Sequence, residues 1–368
     1  MATTKTASKS ESLGSNLGLS RDELLEMYRL MVIARAVDER MWILNRAGKI
    51  PFVISGQGHE GAQVGLAFAL RQGHDWMVPY YRSVASLLTF GMSSREIMLA
   101  QFARGVDPSS GGRQMPGHYG IKERNILSVS SPVATQILHA TGIAWAAKLR
   151  KRDVVTITYL GEGSSNQGDF HEALNFAGVH QLPIVYVIEN NGYAISVPTS
   201  LQSAVEDLAI RGAGYNMPGV IVDGADVLNC FAAGREAIDR ARNGQGPTLI
   251  EAKVSRLTAH SSDDQQQKYR PADELEAQKS QDPLPRFRDQ LREAGMLDDE
   301  TEAAIVAEAR KVVEDATEWA ESQADPDPAT AQRHVYGDAP PARMDDPLWQ
   351  TARFIGDGGP WGVLGGDD

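Results

Sequence analysis

An α/β fold with a doubly wound, mostly parallel sheet is what this chain predicts, and three observations carry the prediction. Apolar β-branched runs alternate with helically spaced segments along most of its length, the pattern of successive β-α-β units. The run VVTITYL (Val154 to Leu160) reads as a buried strand ending at the turn Gly161-Glu162-Gly163. After a helix that sets Phe170, Leu174 and Ala177 on one face, IVYVI (Ile184 to Ile188) reads as a second buried strand. It ends at Glu189, Asn190 and Asn191.

The elements follow in order. Ser20 with Glu23 three residues on is a capping box before a helix over Leu24 to Leu44, and Gly48 and Pro51 end it. Phe52 to His59 is a Gly-rich loop, and Glu60 to Leu70 a helix. Asp75 to Arg82 is a short strand and turn, with a helix near Ser83 to Phe90. Ser93 or Ser94, with Glu96, caps a helix reaching Ala103. Asp107 to Asn125 has no periodicity, and so long a loop inside an α/β domain is usually functional. Thr135 to Leu149 is an Ala-rich helix. After the strand pair come a helix at Ser203 to Arg211, a strand at Gly219 to Gly224, a helix at Asp226 to Ala241 and a strand at Thr248 to Arg256. Thr258 to Lys268 reads as a mobile polar loop, and Gln278 to Glu321 as a charged helical extension. The expected organisation is a disordered tail over 1–18, one α/β domain with its helical part over 19–321, and a turn-rich tail over 322–368.

Composition narrows the function classes. A net charge of −12 argues against nucleic acid or an anionic membrane as the main partner. No apolar run reaches the roughly 20 residues of a membrane helix. Cys230 is the only cysteine, so an internal disulfide is impossible and a reducing compartment fits. The first residues carry no secretory or mitochondrial targeting pattern, and a cytoplasmic location is expected. Arg82, Arg113, Lys122 and Arg124 cluster near the motifs as candidate partners of an anionic ligand.

In a parallel sheet both strand ends lie on the ligand-binding side. A carboxylate at Glu162 and amide oxygens after the next strand form half of a hard-oxygen cage, which Mg²⁺ takes when diphosphate oxygens complete its octahedron. Either half alone reads as an ordinary turn. Together they resemble the thiamin-diphosphate signature, GDG followed by NN, with Glu162 in place of the usual Asp. The resemblance extends through GRQMPGHYG (Gly112 to Gly120), KERN (Lys122 to Asn125), VSSPVATQ (Val129 to Gln136), ENNGYAIS (Glu189 to Ser196), AHSSDD (Ala259 to Asp264) and YRP (Tyr269 to Pro271). Over roughly Leu19 to Tyr336 the chain resembles the alpha subunit of the thiamin-dependent 2-oxoacid dehydrogenase first component. The GEG variant most resembles the branched-chain (2-oxoisovalerate) type.

The resemblance implies a thiamin-diphosphate-binding fold and a reaction: oxidative decarboxylation of a branched-chain 2-oxoacid, with acyl transfer to a lipoyl group. It implies that Glu162, the Asn191 side chain and the Tyr193 carbonyl ligate Mg²⁺. Gly161, Gly163 and Ser164 would admit the phosphates near a helix N-terminus. Tyr81 and Arg82 would contact the diphosphate; alone Arg82 reads as an ordinary surface arginine, and its motif context favours binding. Ser131 and Val133 belong to the implied cofactor-binding set. Glu189 stands where members often carry Arg, so the resemblance does not supply that phosphate contact. His260 would bind the substrate carboxylate or move a proton, as well as lining the cofactor site. For His118 two readings stand, active-site lining and loop structure. Ser130, Thr135 and Gln136 match a K⁺ site in some relatives, and helix N-capping by Ser131 or Thr135 accounts for that stretch as well. Ser261 and Ser262 lie where mitochondrial relatives are phosphorylated, and a solvated loop is sufficient reason for them.

The carboxylate that activates the cofactor is not evident, and no second α/β unit is present to carry it. The resemblance therefore implies a beta subunit in an α₂β₂ tetramer, with the lipoyl domain of the acyltransferase component as a further partner. Alternatives are a pyruvate or acetoin dehydrogenase alpha subunit, a Rossmann-type oxidoreductase and a non-catalytic scaffold subunit. GEGSSN lacks the third glycine of the Rossmann fingerprint, and a scaffold would be expected to lose Glu162, Asn191 or His260.

Overall fold

The computed structural model describes residues 13–129 and 131–333. Helix α1 (Arg21–Arg46) opens on the predicted capping box: the Ser20 hydroxyl accepts from the Glu23 N–H at 3.3 Å, and the Glu23 carboxylate accepts from the Ser20 N–H at 2.8 Å. Leu13 and Leu17, inside the stretch expected to be a tail, pack against the core. Next come α2 (Glu60–Phe68), strand β1 (Trp76–Val78), α3 (Val84–Thr89) and α4 (Ser94–Gln101), whose cap is Ser93 with Glu96. Helix α5 (Thr135–Leu149) has its predicted bounds, but its N-cap is Ala134 at φ +73°, so neither Ser131 nor Thr135 caps it. Strand β2 (Thr156–Gly161), α6 (Gly168–His180) and β3 (Ile184–Asn190) follow, and then a hairpin that periodicity did not suggest, β4 (Tyr193–Ala194) and β5 (Val197–Pro198).

The helix expected at Ser203 to Arg211 is absent. The Ser203 hydroxyl accepts from the Val205 N–H, a local turn that competes with helix, and a 3₁₀ segment occupies Leu208–Tyr215 instead. Strand β6 (Gly219–Asp223), α7 (Val227–Arg242) and β7 (Thr248–Lys253) complete the alternation. The charged extension is broken into α8 (Ala272–Lys279), α9 (Pro283–Glu293) and α10 (Asp299–Glu321). Gly295, at φ +67°, marks the break between the last two. By internal packing the chain divides after Asp325; of the second unit, residues 326–333 are described and hold a 3₁₀ turn at Pro328–Thr330. Most of the expected C-terminal tail, from 334 on, lies outside the described residues.

Five strands form one wholly parallel sheet in the order β1-β2-β3-β7-β6. Side chains alternate across it. Ile157, Tyr159, Val185 and Val187 enter a core shared with α1, α2, α7 and α10, whereas Leu160, Ile184, Tyr186 and Ile188 enter another shared with α5 and α6. Both faces of the central strands are thus covered by helices, which is why these runs are apolar at consecutive positions.

Candidate cofactor site

The ends of β2 and β3 meet at one edge of the sheet, because Gly161 pairs in register with Glu189. There a cavity of about 450 Å³ is lined by Tyr81, Arg82, Val133, Gly161, Glu162, Gly163, Ser164, Asn191, Tyr193 and His260. A smaller apolar recess of about 190 Å³ adjoins it through Tyr81, Val133 and Ser164, and reaches Phe52, Ile54, Met115, His118 and Ser131. The sequence-predicted residues for cofactor and catalysis are therefore gathered around two adjoining spaces.

Glu162 is only 2% exposed, and the Asn191 N–H lies 3.4 Å from its carboxylate. Burial pushes its carboxyl above the usual carboxylate range, against the pull of the Glu162 and Asn191 N–H groups and of Arg82. A buried, sparsely bonded carboxylate of this kind suits a cation. Asn191 Oδ1 accepts from the Tyr193 N–H at 3.2 Å. Among the described residues no three His, Cys, Asp or Glu side chains cluster to hold a metal. A hard cation here would need oxygens from a bound anion as well as one carboxylate, one amide and a main-chain carbonyl. A Cβ on Gly161 would meet nothing within 4 Å, so that backbone is open to a ligand. Gly163 is different, since its Cβ would lie 2.6 Å from the Ala194 Cβ; the β4–β5 hairpin itself demands that glycine. The helix carrying Phe170, Leu174 and Ala177 begins only at Gly168, and the motif residues Glu162–Asn166 form a 3₁₀ turn before it.

Arg82 is buried, donating to the Ser55 carbonyl, with its guanidinium carbon 5.5 Å from the Tyr81 ring centre. It is therefore not a surface arginine. Arg113, Lys122 and Arg124 line neither space; Arg124 pairs with Glu96 and Arg113 donates to the Ser110 carbonyl. Arg124 is thus engaged in local structure.

His260 Nδ1 lies 3.4 Å from an Arg82 nitrogen, and its ring meets that of Tyr81 edge-on. Burial, then Arg82 and Arg256, hold its pKa down to about 4, with Asp264 offsetting only part. The imidazole is thus neutral near pH 7. Its segment is docked rather than free. The Asp264 carboxylate accepts from the His260 N–H (2.7 Å) and the Tyr269 hydroxyl (2.5 Å), and the Ser262 N–H donates to the Val53 carbonyl (2.9 Å). Ser261 is buried and Ser262 half-buried, so the expected solvated loop is corrected at Ser261. His118 bridges the Met115 carbonyl and the Ser131 hydroxyl, each at 2.8 Å, so it lines the recess and braces the loop together. Thr135 donates to Asp169, Gln136 donates to the Tyr159 carbonyl, and Ser130 lies outside the described residues.

Sequence reasoning missed the place of Glu189 as well as the β4–β5 hairpin. The sequence places Glu189 past the end of the second strand, but it lies within β3, fully buried. Its Oε2 atom is 2.5 Å from His59 Nδ1 and accepts from the Tyr80 hydroxyl (2.7 Å) and Gln63 Nε2 (3.0 Å). A strand parity that puts Val185, Val187 and Glu189 on one face was the available signal.

Known proteins resemble this chain over most of its length. The family described as dehydrogenase E1 component matches residues 28–329. The chain is 52% identical over 320 residues to the 2-oxoisovalerate dehydrogenase subunit alpha of Bacillus subtilis, covering 87% of this chain and 97% of that protein. It is 39% identical over 323 residues to the mitochondrial 2-oxoisovalerate dehydrogenase subunit alpha of Mus musculus, covering 88% and 73%. It is also 39% identical over 298 residues to the 3-methyl-2-oxobutanoate dehydrogenase subunit alpha of Mycobacterium tuberculosis H37Rv, covering 80% and 77%.

Proposed function

This chain belongs to the dehydrogenase E1 component family, and on that premise we propose that the cavity at the ends of β2 and β3 binds thiamin diphosphate through Mg²⁺. The chain is the alpha subunit of a branched-chain 2-oxoacid dehydrogenase, and its relatives' names do not favour the pyruvate or acetoin alternative. The observation that carries the site assignment is the convergence of Glu162, Asn191, Arg82 and His260 on one cavity. Glu162, the Asn191 amide oxygen and the Tyr193 carbonyl would hold the metal, and Tyr81, Arg82, Gly161, Gly163 and Ser164 the diphosphate. Thiamin diphosphate, when bound, supplies the carbon that adds to the 2-oxo group and the electron sink that lets carbon dioxide leave.

The chain's own residues do the rest. Arg82 presents a fixed positive charge to anionic groups in the cavity. The neutral His260 offers a ring nitrogen to the substrate carboxylate or to a proton in transit. The adjoining recess, with Phe52, Ile54, Val129 and Val133 in its wall, suits a short branched alkyl chain and excludes water. His118 and Ser131 sit at its edge. A K⁺ ion near Thr135 and Gln136 belongs to the same reading, as does a doubly wound thiamin-diphosphate fold with a helical C-terminal extension.

The alpha-subunit relationship implies a beta subunit in a multienzyme complex. We place it over the cavity mouth, in an α₂β₂ tetramer that presents the acyl group to a lipoyl domain. Two features support this. Glu162 is the single carboxylate among the described residues lining that cavity, so the activating carboxylate comes from elsewhere. Val133, Ile195 and Val197 are 55%, 56% and 43% exposed at its rim, apolar surface that a partner would cover. A cytoplasmic location fits the single, buried Cys230. Co-expression with the beta subunit, followed by a panel of 2-oxoacids with an artificial electron acceptor, tests the reading. Faster turnover of 2-oxoisovalerate than of pyruvate is expected, and no turnover of any 2-oxoacid would overturn it.

A further inference from the structure

We propose that Glu189 is a positioning residue for the cofactor site, holding the phosphate-side turn at Tyr81–Arg82 against the strand end that carries Asn191. This deepens the cofactor reading above and rests on it. Glu189 sits opposite Gly161 in the sheet register and two residues before Asn191. From inside the sheet its Oε2 atom accepts from Tyr80, adjacent to Tyr81, and from Gln63 of α2. Gln63 Nε2 also donates to the Arg82 carbonyl at 3.0 Å, and Gln63 Oε1 accepts from the Ala85 N–H at 3.0 Å. One carboxylate thereby joins the edge bearing Gly161, Glu162 and Asn191 to both ends of the turn bearing Arg82. His59, at the N-cap of α2, completes the cluster.

The way the carboxylate is used points beyond folding. His59 and two donors converge on Oε2, while Glu189 Oε1 and His59 Nε2, both buried, have no partner among the described residues. Burying polar atoms unpartnered costs stability. An arrangement that accepts this cost while fixing Tyr80 and Arg82 serves geometry. Arg82 also lies within electrostatic reach of both Glu189 and Glu162. Were Glu162 committed to a cation, Glu189 would remain as the buried counter-charge facing Arg82.

The test uses the assembly with its beta subunit, purified free of cofactor, as wild type, Glu189→Gln and Tyr80→Phe. Thiamin diphosphate affinity with Mg²⁺ is measured by calorimetry, the unfolding midpoint without cofactor by scanning, and the 2-oxoacid KM at saturating cofactor by turnover. Glu189→Gln should weaken the cofactor about 10-fold or more, as expected for lost hydrogen bonds to a charged group. Tyr80→Phe, which leaves the carboxylate in place, should weaken it by about 3-fold or more. The KM should stay close to wild type in both. If Glu189→Gln fails to fold, Tyr80→Phe decides alone. A lowered midpoint with wild-type cofactor affinity would assign the cluster to folding and overturn the inference. A wild-type assembly that binds no thiamin diphosphate would overturn the cofactor reading and this inference with it, whereas wild-type binding kept by the variants overturns the inference alone.

Discussion

Glu162 and Asn191 lie on neighbouring strand ends, where each offers oxygen to one cavity, and their removal should be felt in binding before folding. Glu162→Ala or Asn191→Ala should cost at least ~100-fold in thiamin diphosphate affinity, since losing even an outer partner of a metal ligand costs about 10–100-fold. Calorimetry on the assembly checks this, and unchanged affinity would reject the metal ligands. His260→Ala should keep the cofactor and cut turnover about 100-fold, as for a lost acid–base group; wild-type turnover would return His260 to a structural role. Its titration gives a second handle. The folded-state pKa near 4 lies below the ordinary value of 6.5, so the unfolded chain binds the proton first as pH falls. The contribution to stability is complete above about 6.5 and is lost as pH drops towards 4. His260→Gln should flatten that part of the curve of unfolding midpoint against pH, and equal slopes would contradict the assignment.

At the scale of elements, strand and helix order was legible because apolar runs and helical spacing are local signals. The strands VVTITYL and IVYVI, the capping box at Ser20 and the bounds of α5 are found close to where they were read. The misses have local causes too. The Ser203 turn displaced a helix, and Gly295 divided the charged extension. The close packing of α2 on α7 was not legible, and glycine carries it. A Cβ on Gly65 would lie 2.4 Å from the Val227 carbonyl oxygen, where α2 crosses α7. Alanine favours helix over glycine by about 1 kcal/mol, yet Gly65→Ala should destabilise by about 1–3 kcal/mol, as overpacking does. Thermal unfolding measures it, and a stabilised variant would show that the helices can shift apart freely.

For the whole molecule, the single carboxylate among the described residues lining the cavity and the apolar rim lead to one expectation. Alone, this chain should be inactive, bind thiamin diphosphate weakly and tend to associate, since obligate interfaces resemble a divided core. With its beta subunit it should sediment as a tetramer and prefer 2-oxoisovalerate. Robust decarboxylation by the isolated chain would reject the shared site, and a dimer in sedimentation would reject the stoichiometry.

The sequence by itself determined the alternation of elements, the two strand-end motifs and the identity of the residues around the cavity. Each depends on side-chain type at fixed spacing along a parallel sheet, where strand ends must share an edge. Only the tertiary structure decided which charges belong to the site. Arg82 is buried beside His260, whereas Arg124 pairs with Glu96 on α4 and Arg113 braces its own loop. It also decided the partners of Glu189: His59 at the N-cap of α2, Gln63 within that helix, and Tyr80, all more than a hundred residues away in sequence. Burial and the pull of charges on one another depend on distance in space, and no spacing along the chain encodes that distance.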